Sequence, residues 1–420
     1  MTKKALIAEI LCTGEELLLG DIVNTNAAFL SARLTELGIS VFHHSVVGDE
    51  PTRLKECVRD ALSRSDIVII SGGLGPTKDD LTKETVAELF GREMELHQSS
   101  LDMIRDYFLR TGRVMSKNNE KQAMMPKGAI VFPNHFGTAP SLALENEKGQ
   151  SVIMLPGPPS ELVPIFYEQI TPYIKSKNSM AIASKNLHFF GIGESALAER
   201  VDNLLIDTPK LSAATYCKEG EVRIRITARG ETESEAVLAC EDYSQKIMQT
   251  EAAQFLYGVD VETIENALVR KLHEKKKTLS AAESCTGGLI AKRITDISGC
   301  SDVFFGGCVT YTNEVKHRLL GVSLETLERY GAVSEQTALE MARGVRLATG
   351  SDIGISSTGI AGPTGGTKET PVGTVFIGIS TQNGESFRKL SLSPNRSREY
   401  IRLASATNAF DMVLKELLKD

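Results

Sequence analysis

Apolar runs of strand length alternate with amphipathic stretches of helix length in the first and last parts of this chain, and a segment of different texture separates them. The early strand-like runs are Leu6–Leu11, Ser40–Val47, Ile67–Ile70, Ala129–Phe132 and Val152–Leu155. Amphipathic stretches at Ala27–Leu37, Arg53–Leu62 and Leu101–Leu109 lie between them, and a helix over Ser160–Ser176 closes the segment. A strand followed by a helix of this length returns the chain to a parallel neighbour, so the pattern predicts βαβ units and a mostly parallel sheet.

From about 180 to 257 the pattern changes. The run Glu221-Val222-Arg223-Ile224-Arg225-Ile226-Thr227 alternates charged and β-branched residues, as a half-buried strand with one solvated face does. With helical segments at Ala196–Leu205 and Thr232–Thr250, a small α+β domain is expected. The last part is α/β again: a helix (Val261–Lys275), a strand (Thr278–Ala282) and a helix after Gly287. Strands follow at Cys308–Tyr311, Ile353–Ser356, Val372–Ser380 and Phe387–Ser391, before a final helix, Arg398–Leu418. Since 420 residues exceed one ordinary core, three domains are expected, at 1–178, 179–257 and 258–420.

Composition narrows the function classes. An apolar fraction of 41% with 24% charged residues describes a globular protein. The net charge of −7, the absence of tryptophan and 6% aromatics argue against a phosphate-tracking surface or a base-stacking platform, so nucleic acid is not an expected partner. Seven cysteines without a CxxC pair suit free thiols in a reducing cytoplasm. The opening apolar run, Ala5–Leu11, is too short to span a membrane. We expect a cytoplasmic protein.

The chemistry-bearing residues of the last part are Ala282-Glu283-Ser284-Cys285-Thr286-Gly287-Gly288, then Thr310-Tyr311-Thr312-Asn313-Glu314-Val315-Lys316, then Ser357-Thr358-Gly359-Ile360-Ala361-Gly362-Pro363-Thr364-Gly365-Gly366. Ser284 stands where a strand hands over to a helix, with first-turn amides from Cys285 to Gly288 available as anion or oxyanion donors. Gly287 and Gly288 admit a ligand close to the backbone. Ser284 is either a helix N-cap or a nucleophile. A serine nucleophile needs a base, and a desolvated Lys316 is one candidate, with Tyr311 as relay. The alternative leaves Tyr311 a strand residue with a wet tip and Lys316 a solvated helix charge. Cys285 competes as nucleophile, because a helix N-terminus lowers a thiol pKa; a small buried cysteine is the plainer reading. The loop at 357–366 is an anion cradle or a tight turn.

Together AESCTGG, TYTNEVK and STGIAGPTGG with PVGTV resemble the C-terminal domain of the competence/damage-inducible CinA family, which is known as nicotinamide mononucleotide (NMN) deamidase. The resemblance implies hydrolysis of the nicotinamide carboxamide to nicotinic acid mononucleotide and ammonia, without a cofactor. It implies Ser284 as nucleophile with Tyr311 and Lys316 as catalytic partners. It implies a substrate cradle of Thr286, Gly287, Gly288, Thr358, Gly359 and Gly362, and Arg398 and Arg402 near the substrate phosphate.

Two loops dominate the first part: Thr13-Gly14-Glu15-Glu16 with Asn24-Thr25-Asn26, and Ser71-Gly72-Gly73-Leu74-Gly75-Pro76-Thr77-Lys78-Asp79-Asp80. Glycines after a strand, then hydroxyls and acids at a helix start, suit a phosphate-bearing ligand beside a divalent cation. Asp79 and Asp80 equally suit a helix dipole. With Leu155-Pro156-Gly157-Pro158-Pro159-Ser160-Glu161, these loops resemble the molybdopterin-binding-like N-terminal domain of the same family. Related domains are associated with metal-dependent ADP-ribose pyrophosphatase activity. That implies ligand contacts from Asn26, Gly72, Gly73, Gly75 and Thr77, and a divalent metal at Asp80 and Asp79, with Asp80 the residue of chemistry. The middle segment resembles the family's KH-like domain, but Gly191-Ile192-Gly193-Glu194-Ser195 lacks a GXXG loop and reads as a spacer or oligomerisation element. A homodimer is expected. The competing class is a scaffold or ligand-binding protein associated with competence or DNA damage.

Overall fold

The computed structural model describes residues 6–177, 181–218 and 220–419. By compactness the chain falls into two units. One holds the chain to Ser184 with Asp207–Ser212 and Ile226–Tyr243; the other holds Lys185–Ile206, Ala213–Arg225 and the chain from Ser244.

The first unit is built on strands β1 (Ile7–Thr13), β2 (Ser40–Val47), β3 (Ile67–Ser71), β6 (Ile130–Phe132), β7 (Ser141–Glu145) and β8 (Ser151–Leu155), in the order β2-β1-β3-β8-β7-β6. A separate pair joins β4 (Met94–Leu96) to β5 (Met124–Pro126). The first four strands of the six are parallel, while β7 and β6 return antiparallel. The sheet is therefore more mixed than the sequence pattern predicts. Every residue of β3 and β8 is buried, which is why both read as unbroken apolar runs. The helix Pro51–Arg64 shows how the flanking layer is specified. Glu50 accepts from the amides of Thr52 and Arg53 at 3.0 and 2.9 Å, Pro51 opens the first turn, and Leu54, Val58 and Ala61 face the core at helical spacing.

A buried lysine ties the Asp79–Asp80 loop region to its neighbour. Lys83, on the helix Thr82–Leu89, is 2% exposed and donates to the carbonyls of Lys121 and Gln122 at 3.0 Å each. Burial lowers its pKa from 10.5 to about 8. An unfolded lysine keeps its proton up to 10.5, so between pH 8 and 10.5 the unfolded chain binds more protons and stability rises with pH. Lys83→Met should lose that rise and cost about 1–3 kcal/mol for each carbonyl left unpaired. Urea unfolding at pH 7 and pH 10 checks both.

The middle sheet runs β10 (Ile206–Asp207), β11 (Leu211–Lys218), β12 (Glu221–Gly230), β9 (Ala181–Phe190), β13 (Leu256–Val259). The alternation along β12 holds only at its start. Arg225 and Thr227, predicted on a solvated face, are 8% and 7% exposed, and the Thr227 hydroxyl pairs with Ser184 at 3.1 Å.

The C-terminal sheet runs β15 (Phe304–Val309), β14 (Leu279–Glu283), β16 (Ile353–Gly359), β17 (Thr374–Ser380), β18 (Glu385–Ser391). The first three strands are parallel, and β17 and β18 are antiparallel. The helix Arg398–Leu417 lays Ile401, Ala406, Ala409, Phe410 and Val413 into the core, each apolar side chain larger than alanine contributing about 1.5–3 kcal/mol by leaving water. Strand β15 stops at Val309, short of the predicted Tyr311, because Thr312 caps the next helix by accepting from Val315 N at 3.3 Å. Among the described residues no helix is long and apolar enough to cross a membrane.

Candidate active site

Ser284 follows β14 directly, and a turn through Gly288 leads into the helix Leu289–Thr295. Because β14 lies between parallel β15 and β16, its carboxyl end is flanked by chain leaving both neighbours. The Ser284 amide donates to the Ser357 carbonyl at 2.9 Å, and the Thr310 amide donates to the Glu283 carbonyl at 2.7 Å. Lys316 completes the arrangement from the helix Asn313–Leu320. Its Nζ stands 3.1 Å from Ser284 Oγ and donates to the Thr310 carbonyl at 2.7 Å.

Lys316 is 1% exposed, so the reading of a solvated helix charge does not hold. The Thr312 cap rotates the helix so that Lys316 and Leu320, four residues apart, share the buried face. Burial pushes the ammonium below the ordinary lysine value, against the opposing influence of Cys285. Cys285 itself is buried, and desolvation raises its thiol pKa to about 12. A thiolate nucleophile at Cys285 is thereby disfavoured, whatever the helix start contributes. Among the described residues the Thr310 hydroxyl is buried without a partner.

The first-turn amides are less available than the motif implies. Glu283, 1% exposed, accepts from Gly288 N and Ile290 N through Oε2, at 2.9 and 3.0 Å, and from Ala291 N through Oε1 at 2.9 Å. Gly287 N donates to the Ser284 carbonyl at 3.1 Å. The Thr286 amide has no acceptor among the described residues, and that of Cys285 lies against its own thiol. Gly287 and Gly288 adopt φ of 59° and 93°, which explains both glycines without a ligand. Thr286 is fully buried; its hydroxyl pairs with Ser357 Oγ at 2.6 Å and is withdrawn from any cradle. The motif carried Glu283 in plain view, but no pattern distinguished it from an ordinary strand-end acid.

Tyr311 is 61% exposed and accepts from Arg398 Nη2 at 3.1 Å; Arg398 Nη1 donates to the Gly362 carbonyl at 2.7 Å. Among the described residues Tyr311 makes no hydrogen bond to Ser284 or Lys316. The structure therefore joins Ser284 to Lys316, and Tyr311 to Arg398 and Gly362. Arg402 does not present a free fork, since Nε and Nη2 both donate to the Thr286 carbonyl, at 3.1 and 2.7 Å. Ser357, Thr358 and Gly359 belong to β16 rather than to a loop, because pairing with β17 continues to Gly359 opposite Val375. Thr358 is 1% exposed and its hydroxyl donates to the Ala332 carbonyl at 2.5 Å. A side chain at Gly359 would meet the Thr374 carbonyl, so this glycine serves strand packing.

In the first unit Asn26 lines a cleft of about 320 Å³ together with Thr13, Asn24, Ser71 and Gly157. Its Nδ2 donates to Ser71 Oγ at 2.8 Å and to the Gly157 carbonyl at 2.7 Å. Among the described residues the Thr13 hydroxyl is buried without a partner. Gly72, Gly73 and Gly75 make room for the protein's own Thr13, Thr82 and Asp80, not primarily for a ligand. Thr77 is occupied with Asp80, donating its amide to Oδ2 at 2.9 Å and its hydroxyl to the same oxygen. Asp79 is exposed. Burial and the nearby Glu16, Glu15 and Asp80 charges raise the Asp49 pKa, although a Glu15 amide opposes this. Among the described residues no three His, Cys, Asp or Glu side chains converge as metal ligands. With the Asp80 carboxylate turned back on Thr77, these residues as placed do not fit a resident divalent ion.

The fold and sites define an α/β protein with a molybdopterin-binding-like first domain, a KH domain and a C-terminal domain in which a buried lysine meets a half-buried serine. Residues 9–176 match the family described as "Probable molybdopterin binding domain", 184–258 the "Damage-inducible protein CinA KH domain", and 261–417 the "CinA C-terminal domain". The CinA-like protein of Dictyoglomus thermophilum is 47% identical over 410 residues, covering 98% of this chain and 99% of that protein. The CinA-like protein of Kosmotoga olearia is 44% identical over 413 residues, with 98% and 99% covered. Among solved structures, the competence/damage inducible protein CihA from Agrobacterium tumefaciens is 41% identical, with 37% of this chain and 93% of that one covered at a TM-score of 0.36. The chain belongs to the CinA family.

Proposed function

We propose that the C-terminal domain hydrolyses the carboxamide of nicotinamide mononucleotide to nicotinic acid mononucleotide and ammonia, with Ser284 as nucleophile. The observation that carries this reading is the 3.1 Å approach of the desolvated Lys316 Nζ to Ser284 Oγ. As a neutral amine, Lys316 takes the hydroxyl proton while Oγ bonds to the carboxamide carbon. The carbonyl oxygen becomes an oxyanion. As the tetrahedral species collapses, the amide nitrogen takes the proton held on Lys316 and leaves as ammonia, and a nicotinoyl ester remains on Ser284. Water then attacks the ester, giving a proton to Lys316; the acid departs as the C–Oγ bond breaks, and Lys316 returns that proton to Ser284 Oγ. Arg398 and Tyr311, on one side of the turn, are the groups proposed to meet the nucleotide phosphate. The whole chain incubated with this nucleotide should release ammonia and the acid stoichiometrically, with the same rate after chelator treatment, because serine and lysine supply the chemistry. No ammonia above the uncatalysed rate would sink the reading.

A second reading rests on the cleft at Asn26 and the unpartnered Thr13 hydroxyl beside it. We propose that this cleft takes a nucleoside diphosphate such as ADP-ribose. Isothermal titration with ADP-ribose should show binding that Asn26→Ala weakens about 10-fold, the loss of one hydrogen-bonding group. No heat of binding, or an Asn26→Ala variant that binds as the parent does, would rule this out.

A further inference from the structure

We propose that Glu283 and Arg402 form a two-sided clamp on the turn that carries Ser284, and that both are positioning residues for the amidase chemistry. The inference rests on the amidase reading above, and it assigns Arg402 away from the substrate phosphate.

The turn from Ser284 to Gly288 has few internal bonds of its own. A short, glycine-containing turn with φ of 59° and 93° at successive positions has no intrinsic reason to hold one shape. Two ionised side chains supply that reason from opposite polarities. On the amide side, the Glu283 carboxylate takes the amides of Gly288, Ile290 and Ala291, three charge-assisted bonds from one buried group. Its own backbone immediately precedes Ser284, and its carbonyl accepts from Thr310 N, the residue whose carbonyl receives Lys316 Nζ. One residue thus links the nucleophile, the base's anchor and the helix start. On the carbonyl side, Arg402 places Nε and Nη2 on the Thr286 oxygen, with a planar fork that lysine cannot reproduce. A side chain at Gly287 would come within 3.2 Å of Arg402 Nη2, so the glycine admits the guanidinium as well as the turn.

The clamp therefore fixes where Ser284 sits at the end of β14. A displacement of about 1 Å in such a nucleophile costs on the order of 100-fold in rate.

The test is steady-state hydrolysis of nicotinamide mononucleotide by Glu283→Gln and Arg402→Lys in the full chain. The clamp predicts kcat down about 10–100-fold in each, with KM within about 2-fold of the parent protein. A phosphate ligand would instead show a raised KM with kcat kept. A kcat loss under about 3-fold, or a KM rise that accounts for the lost kcat/KM, overturns the clamp for that residue. Because a buried carboxylate change can prevent folding, hydrogen exchange on the parent protein supplies a second reading. The amides of Gly288, Ile290 and Ala291, first-turn donors with no partner but Glu283 among the described residues, should exchange about 100-fold or more slower than in the unfolded chain; unprotected amides overturn the clamp whatever the variants do. Ser284→Ala separates the two levels. If that variant is inactive while Glu283→Gln and Arg402→Lys keep kcat, the amidase reading stands and the clamp falls. If Ser284→Ala is fully active, the amidase reading itself falls.

Discussion

Replacing Ser284 by alanine should reduce ammonia release from nicotinamide mononucleotide by about 1,000-fold or more, with the fold retained. The magnitude follows from covalent catalysis, since the remaining site retains binding and oxyanion stabilisation but has no atom to form the ester. Ser284 is only half-buried, and its amide bond to the Ser357 carbonyl is a backbone contact that alanine keeps. Loss of Oγ leaves Lys316 with its second acceptor, the Thr310 carbonyl, so stability should change little. Rapid-quench mass spectrometry of the parent protein should find a nicotinoyl ester on the peptide bearing Ser284. Wild-type turnover in Ser284→Ala would remove this residue from the mechanism.

Lys316 carries the second large effect. Lys316→Met should lower kcat about 100- to 10,000-fold, the range a positioned general base contributes. Lys316→Arg should be as inactive, because a guanidinium keeps its proton throughout the accessible pH range. The pH dependence has a definite sign. The base works in its neutral form, and burial holds its pKa below the usual 10.5, so kcat/KM rises with pH and levels off below the pH of an exposed lysine. Stability follows the same group. The unfolded lysine keeps its proton up to 10.5 while the folded one releases it earlier, so stability rises with pH between the folded value and 10.5. Lys316→Met should flatten both profiles. A variant with the parent's rate and pH profile would show that another group removes the Ser284 proton.

Much of the scaffold was legible from local pattern. Unbroken apolar runs marked β3 and β8 because both faces of those strands are covered, and this is a property any window of sequence displays. Strand β7 is not legible in this way: Ser-Leu-Ala-Leu-Glu carries no strand signature of its own and is a strand because β6 and β8 pair with it on either side. The alternation in β12 promised a solvated face at Arg225 and Thr227, and tertiary packing covered both. At the site, the ordered motifs singled out Ser284 and Lys316, but not whether that lysine was solvent-facing or buried. Thr286 and Thr358 looked like ligand hydroxyls in the same motifs; their partners, Ser357 and the Ala332 carbonyl, lie 71 and 26 residues away.

The sequence by itself determined the alternation of strands and helices, the family, and the residue types present at the proposed site. These depend on local periodicity and on motifs read in order. Tertiary structure alone decided which side chains meet. It brought Lys316 against Ser284 across 32 residues, turned the Glu283 carboxylate onto the helix start and laid Arg402 on the Thr286 carbonyl across 116. It also decided the protonation chemistry, because desolvation depends on everything packed around a group, whatever its neighbours in the chain. Buried among those neighbours, Lys316 holds its proton less tightly than an exposed lysine and Cys285 is a closed thiol.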